Sequence, residues 1–85
     1  MTSDETRQII IESLLASNLI DAAERDRFLS DENMDVELAS LSIDSLKIVD
    51  LCMALESKIK REVQVEELVE HDSLNKLARH LASAA

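Results

Sequence analysis

Leu41-Ser42-Ile43-Asp44-Ser45-Leu46-Lys47-Ile48-Val49-Asp50-Leu51-Cys52-Met53-Ala54-Leu55-Glu56-Ser57-Lys58-Ile59 is the stretch that decides how the rest of the chain is read. From Leu46 to Ile59 nine of fourteen residues are apolar, more than one core-facing helical stripe uses. They sort into two sets. Ile48, Leu51, Cys52, Leu55 and Ile59 recur at i, i+3, i+4, i+7 and i+11, a single helix face. Leu46, Val49 and Met53 recur at i, i+3 and i+7 on a different face, beside Asp50 and Glu56. The spacing predicts a helix from Ser45 to about Lys60. A small bundle covers one face of a helix well and a second only partly. The first set is therefore assigned to the core and the second to an exposed apolar strip edged by acids, a surface suited to docking a partner. The alternative is that both faces are core.

Working outward, Thr2-Ser3-Asp4-Glu5 reads as a capping box, and Ile10, Ile11, Leu14 and Leu15 follow at helical spacing. A first helix is expected over about Ser3 to Ser17, with Ser17-Asn18 as its stop. Residues 18–43 form a long, acidic connection. Within it Asp21 can cap a short helix ending near Leu29, with Phe28 and Leu29 inward, and Met34 and Val36 are candidate anchors. Beyond the quoted stretch, a short helix is expected near Glu66 to Glu70, with Leu68 and Val69 as its apolar content. Asp72 or Ser73 caps a last one, where Leu74, Leu77, Ala78 and Leu81 make one stripe. The expected fold is all-α: a small four-helix bundle with a long first connection and a short third helix.

Composition agrees. The 85 residues make one domain, 1–85. The chain has no Gly and no Pro, so tight hairpins lose their usual residues, and no glycine-rich loop is left to cradle a nucleotide. Nine basic and eighteen acidic residues give a formal charge of −9. That balance argues against nucleic acid and anionic membrane as partners and for a basic protein surface. Residues 1–57 carry the whole excess, thirteen acids against four bases, so such a partner should dock on the first two thirds. A lone cysteine, Cys52, suits a reducing compartment, and no apolar run approaches the ~20 residues of a membrane span. A cytoplasmic monomer is expected.

Ser45 opens the central helix. On position alone a serine there is an N-cap. Its hydroxyl also stands where helix N–H groups and the helix dipole favour an attached phosphate. Catalysis is not expected of it. A nucleophilic serine needs a base and an oxyanion site, and no histidine lies near Ser45 in sequence.

Leu41-Ser42-Ile43-Asp44-Ser45-Leu46, followed by Val49-Asp50-Leu51 and Met53-Ala54-Leu55-Glu56, resembles the attachment site of acyl and peptidyl carrier proteins. The likeness extends to length and helix order and is specific from about Leu38 to Ile59. It implies that a phosphopantetheinyl transferase joins phosphopantetheine covalently to Ser45, whose thiol then carries an acyl or aminoacyl group as a thioester. It also implies a loading ligase and downstream transferases or synthases as partners, and no catalysis by the chain itself. Asp44, Leu46, Lys47, Val49, Asp50, Met53 and Glu56 fall at positions that such carriers offer to partner enzymes. Asp44, next to a phosphodiester, is expected to face a basic residue or a metal on the partner during loading.

Three departures stand out. Ser42 occupies a place where the family usually has glycine, Lys47 one where fatty-acid carriers usually have an acid, and Lys58, Lys60 and Arg61 make the helix end basic. They point away from a housekeeping fatty-acid carrier and toward a specialised lipid, polyketide or peptide pathway. The competing reading is an unmodified acidic adaptor that docks through Leu46, Val49 and Met53.

The remaining chemistry-bearing residues have plain expectations. Cys52 falls on the core face as a small buried hydrophobe. His71 and His80 are expected as surface histidines without metal. Asp31, Glu32, Asp35 and Glu37 lack the glycine and spacing of a calcium loop and read as a solvated acidic face.

Overall fold

The computed structural model describes residues 2–41 and 43–83. It contains α1 (Ser3–Ala16), α2 (Ala22–Ser30), a 3-10 turn (Leu38–Leu41), α3 (Ser45–Ile59), α4 (Val65–Glu70) and α5 (Leu74–Ser83). The four expected helices are α1, α3, α4 and α5. The connection between α1 and α3 is more ordered than a bare crossover, because it holds α2 and the 3-10 turn.

Thr2 caps α1 by accepting the N–H of Glu5 at 3.1 Å. The reciprocal half of the expected capping box is replaced by a bond from the Thr2 hydroxyl to the Glu5 carboxylate. In α2 the box is complete: Asp21 accepts from Glu24 N, and Glu24 accepts from Asp21 N. Ser73 accepts the N–H of Lys76 at the start of α5. In a chain without glycine, the left-handed positions that follow α1 and α3 fall to Asn18 (φ 60°) and Lys60 (φ 61°). Asn tolerates that region through its short polar side chain, whereas Lys does so at some cost. The turn expected at Ser42 lies outside the described residues.

One core joins all five helices. α1 packs against α5, α3 and α2, and α4 packs on α3. Ile10, Ile11 and Leu14 from α1 meet Leu51 and Leu55 from α3 and Leu74, Leu77 and Leu81 from α5, all buried. Phe28 is buried as expected, but Leu29 is exposed. Phe28 is the buried residue of this nine-residue helix, and Leu29, one position on and about 100° around the axis, falls off the face that meets the bundle. In α4 likewise, Leu68 is buried and Val69 exposed.

The acidic connection is fastened at two places. Arg7, buried on α1, donates from its guanidinium to the carbonyls of Phe28, Asp31 and Met34 and to Asn75 Oδ1. Farther along, an isolated antiparallel bridge pairs Glu37 with Ser73, with Leu38 N donating to Asp72 O at 2.8 Å and Leu74 N to Val36 O at 2.9 Å. Asp35 adds a carboxylate for the N–H of Asn75, and Asp31 accepts from Asn33 N. Two members of the expected solvated acidic face thus satisfy backbone donors. The result is a fixed approach to α3.

Candidate functional site

α3 begins at Ser45, but Ser45 does not cap it. Asp44 is the cap: its backbone is extended, and its carboxylate accepts the N–H of Lys47 at 2.9 Å. The carboxylate of Asp44, expected to face a partner cation, thus has a structural task within the chain. Both residues are favoured caps, and the one standing first takes the role. Ser45 is left at the first helical position, exposed, and no hydrogen bond among the described residues uses its hydroxyl. An oxygen so placed is open to a visiting enzyme. A phosphodiester there would project outward from the helix start, so the residues present fit a covalently attached phosphopantetheine.

The faces of α3 separate. Leu51, Cys52 and Leu55 are buried, and Ile48 and Ile59 lean on the core from its edge. Leu46, Val49 and Met53 are 78%, 47% and 62% exposed, in a line running from Ser45 along the helix. Asp44 and Asp50 are exposed beside them.

Two expected surface residues are engaged within the chain. Lys47 extends its ammonium to the carbonyl of Ser17 at 3.4 Å, at the C-terminal end of α1, where positive charge complements the helix dipole. Glu56 accepts the N–H of Val63 at 3.0 Å and so closes the loop from α3 to α4. Asp50 is the acid of this face without such a tie among the described residues.

One turn from Ser45, Ile48 forms part of an apolar cleft of about 300 Å³, lined also by Leu38, Ala39, Ile43, Leu68, Val69 and Asp72. The sequence did not announce this cleft, because its walls come from three separate segments. A polar hollow of about 250 Å³ around Arg7, Asn75 and Arg79 takes no residue from α3.

Cys52 offers no rival nucleophile. Burial, and then the charges of Glu56, Glu67 and Glu66, push its thiol up, so it stays protonated at neutral pH. His71 and His80 are not independent surface residues, since their rings stack with centroids 3.9 Å apart. Among the described residues no group of three or more His, Cys, Asp or Glu is placed to hold a metal ion, and no helix is long and apolar enough to cross a membrane.

Comparison with known families gives one match. The model described as the phosphopantetheine attachment site covers residues 21–81, well over half of the chain, from the cap of α2 to near the end of α5. α1 lies outside the matched region, although it supplies Ile10, Ile11 and Leu14 to the shared core. No curated protein and no solved structure matches the chain significantly.

Proposed function

We propose that Ser45 bears the prosthetic arm of this protein, proceeding from the fact that the chain belongs to the phosphopantetheine attachment site family. Members of this family are carriers, not catalysts, and the chain is a carrier protein bearing phosphopantetheine. The observation that supports Ser45 is its exposed hydroxyl at the first position of α3, freed from capping by Asp44. When attached, the group supplies a terminal thiol for the cargo. The chain's own residues present that arm and meet the enzymes that load and unload it.

Loading requires the Ser45 oxygen to displace the nucleotide part of coenzyme A at phosphorus, its proton going to a base on the transferase. Ser45 has room for that attack, and a carrier need supply no base of its own. Leu46, Val49 and Met53 form the apolar contact for the transferase and for pathway enzymes, with Asp44 and Asp50 as the charged rim and Lys47 and Glu56 at its edges. A partner with a basic patch around an apolar hollow complements this surface.

The whole of 1–85 acts as one carrier domain, a monomer working in the cytoplasm. The basic end of α3 at Lys58, Lys60 and Arg61 supports service in a specialised lipid, polyketide or peptide pathway, with a loading ligase and downstream transferases or synthases as partners. Incubation with coenzyme A and a broad-specificity transferase tests the assignment. Wild type should gain the mass of one arm and Ser45→Ala none. No gain in wild type, or gain by the variant, overturns it.

A further inference from the structure

The two histidines lie nine residues apart, yet their rings are nearly parallel, 13° between planes, with centroids at 3.9 Å. His71 ends α4, where its N–H donates to Glu67 O at 3.0 Å. His80, on α5, places Nε2 at 2.8 Å from Glu67 Oε1. The same oxygen accepts from Arg61 Nη2 at 2.9 Å, and the other accepts from Gln64 N at 2.7 Å. A helix of six residues does not hold itself in water. α4 is kept in place by Leu68 in the core, by Glu67 and by this stack.

We propose that the His71–His80 stack is an acid-sensitive latch that holds α4 against α5 while at most one of the two rings is charged. A proton on His80 is balanced by the Glu67 carboxylate in contact with it. A second proton, on His71, meets an imidazolium at 3.9 Å, and no ion pair to His71 occurs among the described residues. The surrounding charges do not cancel the repulsion. Arg61 adds a positive group on Glu67, Asp72 has its carboxylate 3.6 Å from the Lys76 ammonium, and Arg79 stands next to His80 in the chain. Glu66 and Glu70, the other acids of α4, are exposed and screened by solvent.

Imidazoles ordinarily change charge between about pH 5 and 8. Burial alone would raise Glu67, but donation from Arg61, the Gln64 N–H and His80 holds it down at about 2, so it stays ionised throughout that range. A proton on His80 strengthens its contact with Glu67, whereas protons on both rings drive the stack apart. Because Leu68 and Val69 of α4 form a wall of the apolar cleft, opening the latch loosens that wall. The inference concerns the fold and stands independently of which serine is loaded.

Amide hydrogen exchange on the full chain at about pH 7.5 and about pH 5, corrected for intrinsic rates, tests it. Protection at Leu68 and Val69 should fall at least about tenfold at the lower pH, while Ile11 and Leu77 keep theirs. His71→Phe preserves a stacking face without charge and should hold α4 protection equal at both values. His71→Gln, smaller and uncharged, should do the same should the ring of Phe not be accommodated. The proposal is overturned by unchanged α4 protection in wild type. It is equally overturned by a parallel fall at Ile11 and Leu77, or by variants that lose protection with acid as wild type does.

Discussion

The carboxylate of Asp44 accepts the N–H of Lys47 at 2.9 Å, and that bond is what frees the hydroxyl of Ser45. The division of labour between the two neighbours has a measurable consequence. Asp44→Ala should lower stability by about 1 kcal/mol, the ordinary cost of a lost N-cap. Ser45→Ala, at an exposed first-turn position, should change it by less than about 0.5 kcal/mol. Urea denaturation of the two variants separates these outcomes, and a larger cost for Ser45→Ala would mean that the serine is the cap.

The two faces of α3 should answer differently to truncation. Leu51 is fully buried, and Leu51→Ala should cost about 2–5 kcal/mol through lost burial and the cavity left behind. Met53→Ala should cost less than about 0.5 kcal/mol yet weaken binding to the loading enzyme. Asp50→Lys should leave the thermal midpoint in place and slow association, most at low salt, as stopped-flow mixing would read.

Among the described residues, the side chain of Arg7 makes more hydrogen bonds than any other. It donates to three main-chain carbonyls and to Asn75 from a buried position. Arg7→Ala strands those acceptors and should destabilise by about 3 kcal/mol or more. Arg7→Lys should recover only part, since an ammonium does not reproduce the planar fork. The loss should appear first as faster exchange in residues 31–36.

These particulars also mark what the sequence makes legible. The periodicity of α3 separated Leu51 and Leu55 from Leu46, Val49 and Met53 because burial on a helix follows a fixed 3.6-residue period. Position alone points to Ser45 as the cap and is off by one residue, because Asp and Ser both favour the cap and the phase of the helix gives the role to Asp44. Arg7 gave no signal. Its main-chain partners are carbonyls 21 to 27 residues away, which have no sequence signature, and its side-chain partner Asn75 is 68 residues away. The stack of His71 on His80 depends on the angle between α4 and α5, and the tie from Glu56 to Val63 on the shape of the intervening loop. Both are tertiary relations that spacing does not encode.

Glu67 sets a pH dependence of known sign. Its carboxyl is lowered to about 2 in the folded chain, below its unfolded value, so the stabilisation is complete above the unfolded value and disappears as pH falls toward 2. With the side chain 16% exposed and partly screened, the contribution at neutral pH is about 1–2 kcal/mol. Glu67→Gln should lose that amount at about pH 7, and the gap to wild type should narrow progressively below about pH 4. Denaturation midpoints of both proteins across that range give the comparison. A gap independent of pH would place the stabilisation elsewhere.

The most direct test of the central claim is to locate the arm within the loaded protein. Cleavage after Arg27 and Lys47 yields a peptide containing Ser30, Ser40, Ser42 and Ser45. Fragmentation between Asp44 and Ser45 in the mass spectrometer distinguishes the last of these from the others. The added mass should lie wholly on the C-terminal fragment that begins with Ser45. Finding it on the fragment ending at Asp44, or on any other peptide, would contradict the account.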